Sequence, residues 1–289
     1  MRIASWNIEN LAPWLADDAM GLPSLHERLG SPDVLCLQEV RIRPGDQALV
    51  ARMHAALPGF ACHASLNHDT HNGRFRGGRA YGVATWLRAE LEATPLRFAW
   101  DTEGRVIVSA LSSLGLAVVN VYAVNGTHRP YWDAERGALY GDRHQFKQRF
   151  IERLGDEAQA LTAHGLELAL IGDWNISRSR LDTTPRLRTE EPHTTARRRF
   201  NEEFIGGLRL TDALRQLHPE ALAYTWFNPR SRHRLDAARV DFALLSEGLL
   251  PHLAGAGIDP DPAARPGSDH APLWIELDVD PAGARSSGG

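Results

Sequence analysis

The chain is 289 residues long, with 43% hydrophobic and 24% charged residues and a formal net charge of −4. Those proportions belong to a folded globular protein and exclude a disordered, collagenous or fibrous chain. The small negative charge argues against a generic polyanion binder, and two cysteines, Cys36 and Cys62, build no disulfide framework.

The elements follow in chain order. Arg2–Asn7 and Val34–Gln38 read as buried strands with a helix around Leu22–Leu29 between them. Gln47–Ala56 reads as a helix, Phe60–Ala64 as a strand and Tyr81–Leu87 as another. From Val106 to His128 no residue is charged, a span long enough to cross a bilayer. Its apolar residues are rich in Val and Ile, however, and Ser112-Ser113-Leu114-Gly115 makes a turn, so two paired strands are expected there and no membrane helix. A polar stretch, Gly126–Asp142, leads into a helix at Arg143–His164 with apolar residues at Phe146, Phe150, Leu154, Ala158 and Leu161. Glu167–Ile171 is a strand, helices follow near Thr195–Gly206 and Leu210–His218, and strands near Tyr224–Trp226, Arg239–Leu245 and Pro272–Val279.

No repeat or linker divides the chain, and strands interleaved with helices imply one layered α/β domain over residues 1–280. Residues 281–289 are rich in Gly, Ser and Ala and are expected to be a disordered tail. The N-terminus lacks the apolar core of a signal peptide, so a cytoplasmic protein, monomeric and free of membranes, is expected.

Charge is unevenly spread: Ile171–Val240 carries 13 arginines against 9 acids, and Asp241–Gly289 carries 2 against 8. Lys147 is the only lysine, so the cations are nearly all arginine, a bias that genome composition explains as readily as phosphate binding.

Polar residues recur where strands end: Asn7, Glu39, Asp173 with Asn175, Asp241, and Asp269 with His270. One such carboxylate is usually a turn former or helix cap, but five clusters suggest a ligand site at the strand ends of an open sheet. Carboxylates and amides suit a hard divalent ion such as Mg²⁺. No zinc-type Cys/His pairs, no phosphate-binding G-x-x-x-x-G-K-[ST] loop and no G-x-S-x-G elbow occur. Metal-assisted attack of water on a phosphate ester remains.

Six motifs stand in order: Trp6-Asn7-Ile8-Glu9, Leu37-Gln38-Glu39, Asn120-Val121-Tyr122, Gly172-Asp173-Trp174-Asn175, Arg239-Val240-Asp241-Phe242 and Ser268-Asp269-His270-Ala271-Pro272. Together they resemble the endonuclease/exonuclease/phosphatase superfamily, most closely its exonuclease III / AP endonuclease branch, from Met1 to about Leu277. Tyr224-Thr225-Trp226-Phe227 and Asn228-Pro229-Arg230-Ser231-Arg232 also resemble the DNA-repair branch. The resemblance implies a sandwich of two mixed β-sheets flanked by helices. It implies a Mg²⁺-dependent phosphodiesterase, with Mn²⁺ as substitute, that incises duplex DNA 5′ to abasic sites and trims DNA from its 3′ ends.

It further implies that Glu39 is the principal metal ligand, with Asn7 and Asp269 beside it and with Asp173, Asn175 and His270 around the metal. Asp173 would position or deprotonate the attacking water, with Asn175 orienting it; a carboxylate of ordinary pKa near 4 is a weak base for that purpose. His270, oriented and charged by Asp241, would stabilise the phosphate oxygens, and Tyr122 would donate to the phosphate with Asn125 nearby. Arg74, Arg76 and Arg79, in a Gly-rich loop, would contact DNA phosphates, and Trp226 and Phe227 would form an apolar pocket for a baseless sugar. The same residues would serve a lipid or inositol phosphatase of the superfamily, and a non-catalytic DNA-binding module on the same fold is a third reading. The chain departs from its relatives at Val124, in the long aromatic stretch Asn125–Asp142, and at Ala237-Ala238, where some relatives line the abasic pocket with a bulky residue.

Overall fold

The computed structural model describes residues 1–16, 21–184, 191–230, 236–259, 261 and 267–279, with the side chains of all but Phe75 and Arg76. The tail expected at 281–289 lies outside the described residues. In chain order the strands are β1 (Arg2–Asn7), β2 (Val34–Gln38), β3 (Phe60–Ser65), β4 (Val83–Arg88), β5 (Thr94–Leu96), β6 (Val106–Leu111), β7 (Leu116–Tyr122) and β8 (Pro130–Asp133). They continue as β9 (Ala138–Asp142), β10 (Glu167–Asp173), β11 (Thr211–Asp212), β12 (Trp226–Phe227), β13 (Ala237–Ala238), β14 (Asp241–Leu245), β15 (Leu253–Ile258) and β16 (Leu273–Leu277). The α-helices are α1 (Leu22–Arg28), α2 (Gln47–Ala55), α3 (Arg143–Ala163), α4 (His193–Phe200) and α5 (Ala213–Leu217).

Two six-stranded mixed sheets form, in the orders β15-β16-β1-β2-β4-β3 and β11-β14-β10-β7-β6-β5. β12 pairs with β13, and β8 with β9, as separate two-stranded ribbons. Every residue of β2 and β7 is buried, as continuous apolar strands demand when both sheet faces are covered. Inward residues such as Ile3, Val34 and Cys36 of the first sheet meet Val118, Ala169 and Ile171 of the second. The outer face of the second sheet is covered by Phe146, Phe150 and Leu154 of α3 and Phe200 of α4. Leu25 of α1 and Met53 of α2 pack on the outer face of the first.

Near one end of the sandwich the interior turns polar. Gln38 Nε2 donates to Ser5 Oγ (2.9 Å) and to Asn120 Oδ1 (2.8 Å), while Asn120 Nδ2 reaches the carbonyl of Ala84 (3.0 Å) and Thr85 Oγ1 (3.1 Å). These hydrogen bonds tie the two sheets together, although Gln38 Oε1 accepts none among the described residues. That is why Gln38 and Asn120 sit in the Leu-Gln-Glu and Asn-Val-Tyr motifs, next to Glu39 and Tyr122.

The uncharged span 106–128 begins as the antiparallel pair β6–β7, turning at Gly115 with φ 58°, as its Ser-Ser-Leu-Gly turn predicts. No helix among the described residues is long and apolar enough to cross a membrane. Several features depart from the sequence expectation. The polar stretch 126–142 folds into the hairpin β8–β9, and β5, β13 and β15 were not anticipated. The helix expected near Leu210–His218 begins only at Ala213, because Thr211–Asp212 pairs with β14 as β11. The helix beginning at His193 passes after Phe200 into a π-helical turn, Asn201–Gly207.

Asp142 starts α3 with a reciprocal cap: its side chain accepts from His144 N and Gln145 N, and Gln145 Oε1 accepts from Asp142 N. Asp142→Ala is expected to lower stability by about 1 kcal/mol, the usual worth of such a cap, read as a shift of the urea midpoint.

Candidate active site

The two sheets deliver their polar strand ends to one place. Parallel pairing of β1 with β2 puts Asn7 level with Gln38, just before Glu39. Parallel pairing of β7 with β10 puts Tyr122 level with Asp173, and antiparallel pairing of β10 with β14 puts Asp173 level with Asp241. Gly172, at φ 145°, permits this approach, since a Cβ there would lie 2.0 Å from the Val121 carbonyl oxygen.

The buried Asn7 is the hub. Its Nδ2 donates to Asp173 Oδ2 (2.9 Å) and Glu39 Oε1 (3.2 Å), and its Oδ1 accepts from Glu9 N (3.1 Å). Glu39 Oε1 also accepts from the Tyr122 hydroxyl (2.8 Å), and Oε2 accepts from Arg41 Nη2 (2.6 Å) and Nε (3.1 Å). Burial and then the Glu39 charge push the Tyr122 hydroxyl well above its usual pKa, so it stays a donor. That donor serves Glu39.

His270 Nδ1 lies 2.9 Å from Asp241 Oδ2, and its Nε2 lies 3.9 Å from Asp173 Oδ2 and 3.7 Å from Asp269 Oδ1. Burial alone would lower the imidazole's proton affinity, but Asp241 and then Asp173 outweigh it and raise the pKa from 6.5 to about 10. The ring is therefore an imidazolium at neutral pH. Burial, and next the Asp241 charge, push the Asp173 carboxyl up to about 7, against the pull of His270, Asn175 and Asn7. The carboxylate expected to be a weak base is thus poised near neutrality by its surroundings. Asn175 holds it, donating to Asp173 from its backbone N (2.8 Å) and its Nδ2 (3.1 Å).

Ligand-type atoms of Asp173, Asp241 and His270 lie within 4.8 Å of one another, the one such group among the described residues. Because His270 Nδ1 is already committed to Asp241, this set is an ion-paired relay rather than a cage. A hard cation is better matched by the carboxylates around Glu39. Glu9 is raised above the usual carboxyl range by burial, then by its contact with Asp269 and by the charges of Asp269 and Glu39. Carboxylates crowded this way, with oxygen donors only, fit a divalent ion that neutralises them.

Glu9 and Arg41 were missed as site residues. The available signal was position: each stands two residues beyond a named strand-end residue, Asn7 or Glu39. Both adopt left-handed backbone, as do Glu39 and Asn175 (φ 59°, 53°, 54° and 51°). Such conformations cost non-glycine residues about 1–3 kcal/mol each and gather at functional sites. All four residues line one cleft of about 860 Å³.

Trp226 and Val240 also line that cleft, and Trp226 Nε1 donates to Asp269 Oδ2 (2.8 Å), so the indole fixes this carboxylate as well as forming wall. Asn125 and Arg79 are exposed and line it too. Phe227 and Arg74 are not among the lining residues, and the Arg76 side chain lies outside the described residues. Arg239 pairs with Asp182 (2.7 Å) and Asp212 (2.6 Å), which leaves Asp241 to His270.

The chain is 29% identical to exodeoxyribonuclease III of Haemophilus influenzae over 264 residues, 85% of this chain and 90% of that one. It is 26% identical to recombination repair protein 1 of Drosophila melanogaster over 292 residues, 96% of this chain but 37% of that longer protein. Among solved structures, the Neisseria 3′ phosphatase NExo bound to a product DNA hairpin superposes with a TM-score of 0.70 at 27% identity, over 96% of this chain and 100% of that one. Residues 4–270 match the Endonuclease/Exonuclease/phosphatase family, and the chain belongs to that family, on the branch that holds exodeoxyribonuclease III and the AP endonucleases.

Proposed function

We propose that this protein is a divalent-metal-dependent DNA-repair phosphodiesterase that incises duplex DNA 5′ to abasic sites and removes nucleotides from 3′ ends. The observation that carries the reading is the His270–Asp241 ion pair facing Asp173, with Asn7 joining Asp173 to Glu39. The names of the relatives support DNA as the substrate.

Glu39, with Glu9 and Asp269 beside it, would hold Mg²⁺ or Mn²⁺, and the ion would supply positive charge to the phosphate oxygens. Asp173, fixed by Asn7 and Asn175, takes the proton of the attacking water; with its carboxyl raised to about 7 it both holds and releases that proton near neutral pH. His270 directs Nε2 at the non-bridging oxygens and gives them charge that was placed before the reaction began. Asp241 keeps that ring charged and oriented. Tyr122 and Arg41 position Glu39 through their hydrogen bonds to its two oxygens. Trp226, Ala238 and Val240 give the cleft an apolar wall for a sugar without a base, whose extrusion from the helix needs little unstacking.

A gel assay of one duplex oligonucleotide carrying a single abasic site tests this. Cleavage on its 5′ side in Mg²⁺, abolished by chelator, is expected, with slower shortening of an undamaged blunt duplex. Turnover of an inositol phosphate with none of either DNA would reverse the assignment.

A further inference from the structure

Against Tyr122 lies a group of buried charges to which the proposed chemistry gives no task. Glu103 and Arg105 are each 1% exposed, and Arg143 is 4% exposed. Arg143, the first residue of α3, grips the Glu103 carboxylate with both Nη atoms (2.8 Å each), and Arg105 Nε donates to Glu103 Oε2 (2.6 Å). A carboxylate shared in this way joins the start of α3 to the residue that precedes β6. Asp101 strengthens the joint, accepting from the backbone N of Arg105 (2.7 Å) and of Val106 (2.8 Å).

Burial disfavours a charge on Arg105, but Glu103 restores it, so the guanidinium is ionised where water is excluded. Its fork also reaches the end of β7. Arg105 Nη1 donates to the carbonyls of Tyr122 (3.1 Å) and Ala123 (3.2 Å), and the Arg105 carbonyl accepts from Tyr122 N (2.7 Å). Its guanidinium carbon lies 4.8 Å from the centre of the Tyr122 ring and 4.5 Å from that of Tyr81, and the two rings pack at 5.5 Å. One side chain thus holds both the backbone and the ring of Tyr122. The charge attracts the face of the ring, which keeps the hydroxyl on Glu39 Oε1 at 2.8 Å. A lysine in this place could hold Glu103 or the carbonyls with its one ammonium, without the flat face that the rings require.

We infer that Arg105 is a positioning residue for the reaction: it sets the Tyr122 hydroxyl on Glu39 and so fixes the carboxylate at the centre of the cleft. This rests on the metal-assisted reading above and extends it by one layer, from the residues that touch Glu39 to the ion pair that holds them. Ala123 carries the same hold towards Asp173, since its carbonyl accepts from Asn175 Nδ2 (3.1 Å) and its N donates to the Asp173 carbonyl (2.7 Å). Arg105 is not among the residues that line the cleft, so its effect passes through Tyr122 and Ala123 and not through contact with a substrate.

Calorimetric titration of the full-length protein with Mn²⁺, in the absence of DNA, tests the role apart from any substrate. Arg105→Lys keeps the charge and loses the fork, and it should weaken Mn²⁺ binding about tenfold, the low end of what an outer-sphere partner of a metal ligand is worth. Tyr122→Phe should weaken it to a similar degree, and the two substitutions together no more than one of them alone. Tyr81→Leu removes one of the two rings and leaves the ion pair with Glu103 whole, so it serves if the lysine variant does not fold. Its smaller loss, about threefold, the worth of one weak cation–π contact, should likewise vanish in the Tyr122→Phe background. On an abasic duplex in saturating Mn²⁺, Arg105→Lys should lower kcat about ten- to a hundredfold, with KM for DNA unchanged. Losses that multiply would overturn the inference. So would a lysine variant that unfolds more easily in urea yet binds Mn²⁺ and turns over as wild type does, since the cluster would then be structural support alone. A protein that shows these couplings in Mn²⁺ binding but cuts no DNA would overturn the proposed function and leave the role of Arg105 standing.

Discussion

Replacing Glu39 with Gln should lower kcat/KM on an abasic duplex by about three orders of magnitude, the largest loss expected from any one side chain here. The carboxylate stands at the meeting point of three elements, accepting from Asn7 of β1, from Tyr122 of β7 and from Arg41 just beyond β2. Glutamine keeps the shape and one oxygen but removes the negative charge that would draw a divalent ion into the cleft. Charge supplied by a metal to a phosphoryl oxygen is worth several kcal/mol, and about 4 kcal/mol corresponds to a thousandfold in rate. Arg41, about one-third exposed, can turn to solvent when its partner is neutral, so the fold should survive. The readout that separates metal binding from chemistry is calorimetric titration with Mn²⁺ of wild type and variant, without DNA. Affinity should fall about tenfold or more, by analogy with the loss on removing even an outer-sphere partner. A variant that binds Mn²⁺ normally and cuts at a normal rate would show that the ion sits elsewhere.

The candidate site was legible in the chain because its residues stand at strand ends. Asn7, Asp173 and Asp241 close or open runs of buried apolar residues, and Glu39 follows one directly; a side chain there is carried to the rim of a sheet whatever the topology. The core strands were legible for the same reason: β2 and β7, buried throughout, leave no ambiguity of face. What was not legible depends on contacts distant in sequence. The hairpin β8–β9 has an exposed second strand with no alternation of burial, and it is held in place from outside: Asn72 exchanges hydrogen bonds with the backbone of Trp132 (2.8 and 3.0 Å), and His71 stacks on the Trp132 ring at 4.9 Å. β12 and β13 are two residues each and are held by pairing with one another and by single bridges from Trp226 to His270 and from Ala238 to Thr183. β15, written Leu-Ala-Gly-Ala-Gly-Ile, offers little apolar surface and is specified by its partner β16. The protonation states were also invisible. Nothing in Gly-Asp-Trp-Asn says that its Asp is fully enclosed and faces a second carboxylate, yet that enclosure moves its pKa to about 7.

Asp241→Asn should cost about two to three orders of magnitude in kcat/KM at pH 8, and much of the loss should be recoverable by lowering the pH. In wild type, burial disfavours the His270 imidazolium, and the Asp241 charge does most to reverse that, with Asp173 second. Asp241 is effective because it is itself buried and pairs with the ring through Oδ2 while its Oδ1 is left without a hydrogen bond among the described residues. With asparagine there, burial is opposed by Asp173 and Asp269 alone, and the alkaline limb of the pH–rate profile should move down from near 10 toward the ordinary range of histidine. The loss is of the size found for positioned acid–base groups, about 10²–10⁴. Stability carries the same signature. A histidine raised from 6.5 to about 10 on folding contributes stability that is complete below pH 6.5 and lost as the pH rises through 10. Wild type should therefore lose urea resistance across that window, and the variant should lose less there while starting lower at pH 6. If the Asp241→Asn profile keeps its alkaline limb where wild type has it, His270 is not the group whose charge the reaction needs, and the phosphate oxygens draw their stabilisation from elsewhere in the cleft.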